Sequence, residues 1–450
     1  MKILVCAKVI DGELNPFDES ALECALTLSN DVTVISMGPP SCENVLKPLT
    51  RLGSKVTLIC DNLYAGSDTL ATAYILATAI KKEKYDLILC GRQSIDGDTA
   101  QVGPMLSQML GIPLITNALS VKVKGKNVYA ETRMSDEKAM LPSLITVERG
   151  YVLRFPSIFS KTGNVNVFDN SILCCNLEKC GFSGSPTKVL QTFENEHGKR
   201  KCKFISMEDL FPLIERLISA NHIDKKTKDV SKKLKSVWAV GEEVVEKAKE
   251  ISEEVVLIEK STPKIIASKA KKEKPDVILW NADLWGRKTA PQVAATLDTG
   301  LCADCTMLET DGENLIMYRP ARSGNIIAKI MCVNKPQMAT VRTRTESSDI
   351  IVAGGKGIAD KIEKMYELAK KLGAEIGASR GLVDMDKIPY NKQIGLTGKT
   401  ISPKVYIAIG ISGAVQHTCA VEGADTIIAI NPDKNARIFE YADYGIIGCF

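Results

Sequence analysis

The sequence predicts an α/β protein: two related parallel-sheet lobes followed by a C-terminal α/β domain. Three observations carry this expectation. Apolar runs of strand length alternate with helical segments, part of the first half recurs in the second, and a β-branched run near the C-terminus ends in a glycine turn. In the first half the pattern predicts strands over 3–9, 32–37, 55–60 and 87–90. Helices are predicted over 17–28, 45–52, 69–82 and 99–110. Such alternation places parallel strands beneath helices on both faces of a sheet.

The repeat joins KKEKYDLILC at 81–90 to KKEKPDVILW at 271–280, and Gln101-Val102 is echoed by Gln292-Val293. Both copies have a lysine-rich helix end, an apolar strand and a following helix, the pattern of a duplicated unit. Between them, residues 224–235 (DKKTKDVSKKLK) are basic and short of large apolar side chains, as in a solvated linker. The expected divisions are a domain over 1–223, the linker 224–235, a second lobe over 236–345 and a final domain over 346–450.

Charge and cysteine narrow the function. The chain has 58 basic and 54 acidic residues, a net +4, with the bases scattered, so no nucleic-acid footprint is present. The opening MKILVC lacks the layout of a signal peptide, and no apolar run approaches the roughly 18 residues of a membrane span. A cytoplasmic protein without membrane insertion is expected, its fourteen cysteines reduced. Cys302 and Cys305 have CxxC spacing, which leaves a redox dithiol open, but zinc would need two more ligands. Cys174, Cys175 and Cys180 have no partner set, and His197 and His222 lie in polar segments. No metal site, catalytic acid or nucleophile is expected.

The apolar run 405–409 reads as a buried strand, and Gly410, Ser412 and Gly413 turn the chain into a helix start before His417. Unpaired N–H groups there favour an anionic or electron-rich ligand, and Gly413 would let it approach the backbone. Five motifs occur in order: GASR (377–380), QIGLTG (393–398), SGAVQH (412–417), AINPD (429–433) and ADYGI (442–446). Together they resemble the FAD-binding domain of the α subunit of electron-transfer flavoproteins. Residues 1–223 resemble the β subunit of that family, and 236–450 the α subunit, so the resemblance implies a fused β–α chain.

The resemblance implies a doubly wound C-terminal domain holding FAD and swinging between electron donor and acceptor. Arg380 would lie against the isoalloxazine and favour its negatively charged reduced form, Thr397 near N5, and His417 near C2=O. Ser379, Gln393, Ser412, Gln416 and Asn431 would hold the rest of the cofactor. Ile394, Gly395, Leu396, Gly413, Ala414 and Val415 complete the two contact motifs. Lys356 replaces an arginine common in the family and keeps the charge while losing the planar fork. Three departures are expected to matter: Cys449 in place of an aspartate, a chain stopping at Phe450 without the family's final helix, and a missing opening strand and helix in the second lobe.

A second nucleotide site is implied in the first lobe. Asn15, Pro16, Phe17 and Asp18, with the run 91–103, resemble the β-subunit loops; Ala7, Gly91, Gln93, Asp96, Gly97, Asp98, Thr99, Ala100, Gln101 and Val102 are the candidate contacts. The 91–98 loop lies at the carboxyl end of a strand, where open α/β sheets bind ligands. The family holds AMP there or, in its electron-bifurcating branch, a second FAD that takes hydride from NADH. AGSDTLATA (65–73) and GDTAQVGP (97–104) are nearer the bifurcating branch.

The stretch RGYVLRFPSIFS (149–160) corresponds to the loop by which the family docks onto its dehydrogenase, with Arg154 and Phe155 as anchors. The implied partners are an acyl-CoA dehydrogenase-type flavoenzyme and a low-potential carrier such as ferredoxin or flavodoxin. Two alternatives remain at this stage. One is a single-FAD shuttle containing AMP, without NADH-driven reduction. The other is a degenerate nucleotide-binding or regulatory protein, which would purify without colour.

Overall fold

Short β-branched runs form buried parallel strands and the polar–apolar stretches between them form helices, as the alternation requires. The computed structural model describes residues 1–194, 199–219, 232–322, 326–343 and 348–449; His197, His222, most of the 224–235 linker, position 346 and Phe450 lie outside them. The chain divides into two compact units. Unit 1 comprises Met1–Thr192, Val230–Arg322 and Ala328–Val341; unit 2 comprises Phe193–Asp229, Ser323–Ile327 and Arg342–Phe450.

The first lobe of unit 1 contains β1 (Lys2–Cys6), α1 (Pro16–Leu28), β2 (Asp31–Met37), β3 (Lys55–Ile59), α2 (Thr69–Ile80), β4 (Leu87–Gly91) and α3 (Val102–Leu110). It continues with β5 (Leu114–Lys124), β6 (Asn127–Thr132), β7 (Asp136–Met140), β8 (Ser143–Val147) and β9 (Val165–Phe168). These nine strands form one sheet in the order β9-β3-β2-β1-β4-β8-β5-β6-β7. The expected helix over 99–110 begins instead at Val102. Asp98 (φ +52°) and Ala100 (φ +54°) hold the preceding loop in a left-handed conformation that a right-handed helix excludes.

β10 (Thr187–Glu194), β11 (Lys203–Phe204) and α4 (Leu210–Ser219) follow. The second lobe then contains β12 (Leu234–Val240), α5 (Val245–Ile251), β13 (Ser252–Ile258), α6 (Pro263–Glu273), β14 (Val277–Asn281) and α7 (Leu284–Leu297). It closes with β15 (Leu301–Cys305), β16 (Met307–Thr310), β17 (Leu315–Ala321), β18 (Ile326–Cys332) and β19 (Gln337–Val341). Its parallel sheet runs β13-β12-β14-β19-β15, the arrangement of β2-β1-β4-β8-β5 in the first lobe. The repeated segments fall on equivalent elements, the ends of α2 and α6 leading into β4 and β14. The second lobe opens with a strand and a helix, and among the described residues its parallel sheet has five strands against nine, with none in the places of β3 and β9. Leu70, Ala73 and Met105 of the first lobe share an apolar cluster with Trp238, Ile278, Trp280 and Val293 of the second.

Unit 2 contains β20 (Ile350–Gly354), α8 (Ile362–Leu372), β21 (Glu375–Ala378), α9 (Arg380–Val383), β22 (Val405–Ile409), α10 (Val415–Thr418), β23 (Thr426–Asn431) and β24 (Tyr444–Ile447). The sheet order is β11-β24-β23-β22-β20-β21, a doubly wound arrangement with β11 added at one edge. Residues 199–219, from the end of the first half, therefore belong with the C-terminal domain. Lys203 pairs with Tyr444, and Arg200 donates to the carbonyls of Ala424 (2.7 Å) and Asp425 (3.1 Å) and pairs with Asp443.

Tyr406 and His417 are buried polar groups within this core. The His417 ring lies 2.7 Å from the Tyr406 hydroxyl through Nε2 and 3.0 Å from the Ile394 carbonyl through Nδ1. A neutral ring satisfies both, with Nδ1–H donating to Ile394 and Nε2 accepting from Tyr406. Burial lowers the His417 pKa to about 4. The folded value lies below the unfolded one, so this contribution is complete above pH 6.5 and is lost as pH falls toward 4. Urea unfolding of unit 2 should therefore lose roughly 2 kcal/mol between pH 7 and pH 5 through this group. His417→Gln should flatten that part of the profile, and an unchanged slope would remove the assignment.

Candidate cofactor sites

In unit 2 the strand order reverses beside β20, so the crevice lies outside the carboxyl ends of β20 and β22. Two glycine loops meet there. Gly355 N–H donates to Ile409 O at 2.8 Å and Gly357 N–H to Gly410 O at 3.1 Å. A Cβ on Gly355 would collide with the Gly410 carbonyl. Ser379 N–H donates to Gly354 O at 2.8 Å, which brings Ser379 and Arg380 to the edge that carries Lys356.

The 393–398 loop joins the same edge through Ile394 N–H to Ala378 O (2.8 Å) and Leu396 N–H to Gln416 O (2.7 Å). Gly395, at φ +147°, makes the turn between these contacts. Gln393 is buried; its Nε2 donates to Thr397 Oγ1 at 2.6 Å, and its Oε1 has no hydrogen-bond partner among the described residues. Along the next segment Ser412, Ala414 and Gln416 are exposed, alternating with buried Gly413, Val415 and His417. Asn431 Nδ2 donates to Ile411 O at 2.9 Å, tying this segment to the end of β23. Four chain segments thus converge on one shelf, with Lys356 exposed and Arg380 half-buried in an ion pair with Asp384 (3.1 Å). A partnerless buried acceptor beside an exposed row of polar groups and two cations suits a large polar, anionic cofactor.

Three details differ from the sequence reading. Gly413 (φ +87°) is required by its own packing, since a Cβ would strike the backbone at Arg437 and Ile438 rather than fill a ligand space. α10 has only four residues, too few for a substantial macrodipole. Both ring nitrogens of His417 are engaged inside the protein, so a ring hydrogen bond to a flavin carbonyl would need one of them released. Cys449 is exposed just beyond β24.

Unit 1 contains a cavity of about 640 Å³ at the carboxyl ends of β1 to β4. Of the sequence candidates, Ala7, Asn15, Asp18, Gly91, Gln93, Gly97, Thr99, Ala100, Gln101 and Val102 line it. Pro16, Phe17, Asp96 and Asp98 do not. Pro16 starts α1, and Phe17 is buried beneath the guanidinium groups of Arg92 (5.8 Å) and Arg149 (5.9 Å). Asp96 pairs with Lys8 at 2.6 Å, and Asp98 accepts from Gln93 Nε2 at 2.9 Å. Sequence reasoning missed Gly38, Pro39 and Pro40 after β2 and Asp61 and Asn62 after β3. The signal for all of them was their place just past a strand's carboxyl end.

Asp18 links the two mouth loops, accepting from Lys8 N–H at 2.8 Å and Gly91 N–H at 2.9 Å. Burial pushes its carboxyl up to about 6, against the pull of those donors. Arg92 forms a buried ion pair with Glu148 at 2.6 Å. Arg319 holds the cavity loop from outside, donating to Gly97 O (2.7 Å) and Asp98 O (3.2 Å), while Gln101 Nε2 donates to Leu301 O at 3.0 Å. Asn15 is buried with its Oδ1 partnerless among the described residues. Volume and mixed polar lining match a small-molecule pocket of nucleotide size.

The segment after β8 has neither strand nor helix between 151 and 164. Arg154 anchors it, its Nη2 lying 2.6 Å from Glu23 Oε1, and Arg51 donates to Ser157 O at 3.1 Å. Phe155 is 96% exposed, and Val152, Ile158 and Phe159 stand out with it. Among the described residues no helix is long and apolar enough to cross a membrane, and no group of three or more potential ligands could hold a metal. All fourteen cysteines are free thiols.

The comparisons with known proteins agree with this geometry. Residues 3–172 and 257–364, more than half of the chain, match the electron transfer flavoprotein domain, and 344–422 match the electron transfer flavoprotein FAD-binding domain. The electron transfer flavoprotein subunit alpha of Thermoanaerobacterium thermosaccharolyticum is 41% identical, over 41% of this chain and 70% of that protein. The corresponding subunit of Megasphaera elsdenii is 39% identical, over 41% of this chain and 70% of that protein. Protein FixB of Azotobacter vinelandii is 39% identical, over 39% of this chain and 62% of that protein. This chain, with its FAD-binding C-terminal domain and its electron-transfer role, belongs to the electron transfer flavoprotein family.

Proposed function

We propose that this chain is a fused β–α electron carrier that holds FAD at the C-terminal switch point and a second nucleotide in the unit 1 cavity. The observation that carries the reading is the convergence of Lys356, Arg380, the 393–397 loop and the 412–416 segment on one sheet edge. FAD, when bound, supplies one- and two-electron transfer. Lys356 and Arg380 contribute positive charge to its surroundings, Ser379, Ser412 and Gln416 offer polar contacts, and Gln393 and Asn431 fix the loops that present them. His417 acts from behind, as a neutral spacer between Ile394 and Tyr406.

For the second site the reading is FAD, with NADH as electron donor and electron bifurcation as the activity. It is supported by the cavity's volume and by the small residues Ala65, Gly66, Gly97 and Ala100 in its wall. An acyl-CoA dehydrogenase-type flavoenzyme is the partner proposed for the Phe155 surface, since aromatic anchors on a fixed loop make effective docking sites. Ferredoxin or flavodoxin is the proposed low-potential acceptor.

Denaturing the purified protein and counting released nucleotides tests this directly. Two FAD per chain are expected, one FAD with one AMP would make it a single-flavin shuttle, and neither would overturn the proposal. Arg380→Ala should lower the flavin's reduction potential by roughly 30 mV, a modest shift because the guanidinium is already paired and partly exposed. A mediated redox titration that finds no shift would remove Arg380 from the flavin's surroundings. Phe155→Ala should raise KM for a partner dehydrogenase about 30-fold with FAD content unchanged. Wild-type kinetics in that variant would place docking elsewhere.

A further inference from the structure

Cys6 and Cys90 occupy paired positions on the adjacent parallel strands β1 and β4. Residues in register point to the same face, so the two side chains stand together. They are 7% and 6% exposed, and both line the unit 1 cavity. Both belong to the same buried apolar cluster on that face, so they are neighbours in packing as well as in register. Neither residue has a role in the function proposed above.

We propose that Cys6 and Cys90 form a dithiol site on the cavity floor that binds trivalent monosubstituted arsenicals, R–As=O, and that this binding excludes the nucleotide. Two S–H bonds and the As=O bond break and two As–S bonds form. The oxygen leaves with both thiol protons as water, arsenic stays trivalent, and no oxidant is needed. The cavity above the pair provides room for R. The neighbouring Cys6 thiol and burial push the Cys90 thiol up, so Cys90 stays protonated and is slow to alkylate in the folded protein, since alkylation needs a thiolate. Asp18 faces the same space and adds to that shift. Cys60 also lines the cavity but lies at the end of β3, two strands from β1 and roughly 10 Å away, too far to share one arsenic atom. Cys302 and Cys305 are buried within β15 and line no part of this cavity.

The test uses the reduced full-length protein and phenylarsine oxide at one equivalent. The expected product carries one phenylarsine group by intact mass, with Cys6 and Cys90 the two thiols newly shielded from iodoacetamide when the protein is alkylated in denaturant and its peptides are mapped. It should survive 2-mercaptoethanol and be reversed by 2,3-dimercaptopropanol, because only a dithiol competes with a two-point attachment. Cys6→Ser and Cys90→Ser should each speed release by 2-mercaptoethanol at least tenfold; Cys6→Ala and Cys90→Ala check the result should a serine variant misfold. An unchanged adduct in the double variant, or equal alkylation of both cysteines with and without arsenical, would overturn the site. The exclusion clause alone rests on the nucleotide reading: excess AMP or FAD should slow adduct formation at least tenfold. Adduct formation at an unchanged rate would refute exclusion and leave the dithiol site standing.

Discussion

The close backbone approach of Gly355 to Gly410 is the constraint on which the C-terminal site depends. A parallel sheet buried on both faces leaves its carboxyl edge as the place where polar groups can gather. There the β20 and β22 loops touch main chain to main chain, which no side chain at Gly355 would allow. That contact sets the position of Lys356, and the Ser379–Gly354 hydrogen bond then sets Arg380 beside it. The 393–398 loop has no regular structure of its own and is placed by hydrogen bonds to its neighbours, among them Ala378, Gln416, His417 and Tyr390. Each site residue thus inherits its place from the one before, and the chain of dependence begins at a glycine.

The cavity in unit 1 rests on a different device. Its loop carries two non-glycine residues with positive φ, Asp98 and Ala100, on either side of Thr99. An alanine in that conformation costs about 1–2 kcal/mol, so the surroundings must hold it. Arg319 does so through two backbone carbonyls and Gln101 through Leu301, both contacts reaching the second lobe. The second lobe therefore shapes a site whose lining comes from the first. Similarity of the two lobes alone would not give that dependence; it comes from the shared apolar cluster that fixes them against each other.

Much of this was legible in the sequence because strands and glycine turns are local signals. The strands over 32–37, 87–90 and 405–409 and the helix over 17–28 appear within a residue or two of expectation. What was not legible was long-range. No local pattern shows that Lys203 pairs with Tyr444, so the arm 199–219 could not be assigned to the C-terminal domain from its own residues. The left-handed residues before Val102 moved a helix start because their conformation is imposed by tertiary contacts. Similarity of motif singled out His417 but did not show how its ring is used, since Tyr406 and Ile394 become its neighbours only after folding.

The duplicated lobes also explain why one edge is open and its counterpart is filled. In the second lobe, Lys260 lies at the corresponding carboxyl edge and bridges Glu243 (2.7 Å) and Asp283 (3.2 Å). The Trp285 ring lies 5.4 Å from the same ammonium and packs on Trp280. A Cβ on Gly241 would collide with Glu243, so the loop after β12 is closed down on this cluster. In the first lobe the equivalent loops carry Ala7, Lys8, Gly91 and Arg92, and the acid between them, Asp18, spends its acceptors on backbone N–H groups instead of on a lysine across the gap. One arrangement satisfies its charges with its own side chains. The other satisfies them around an open space.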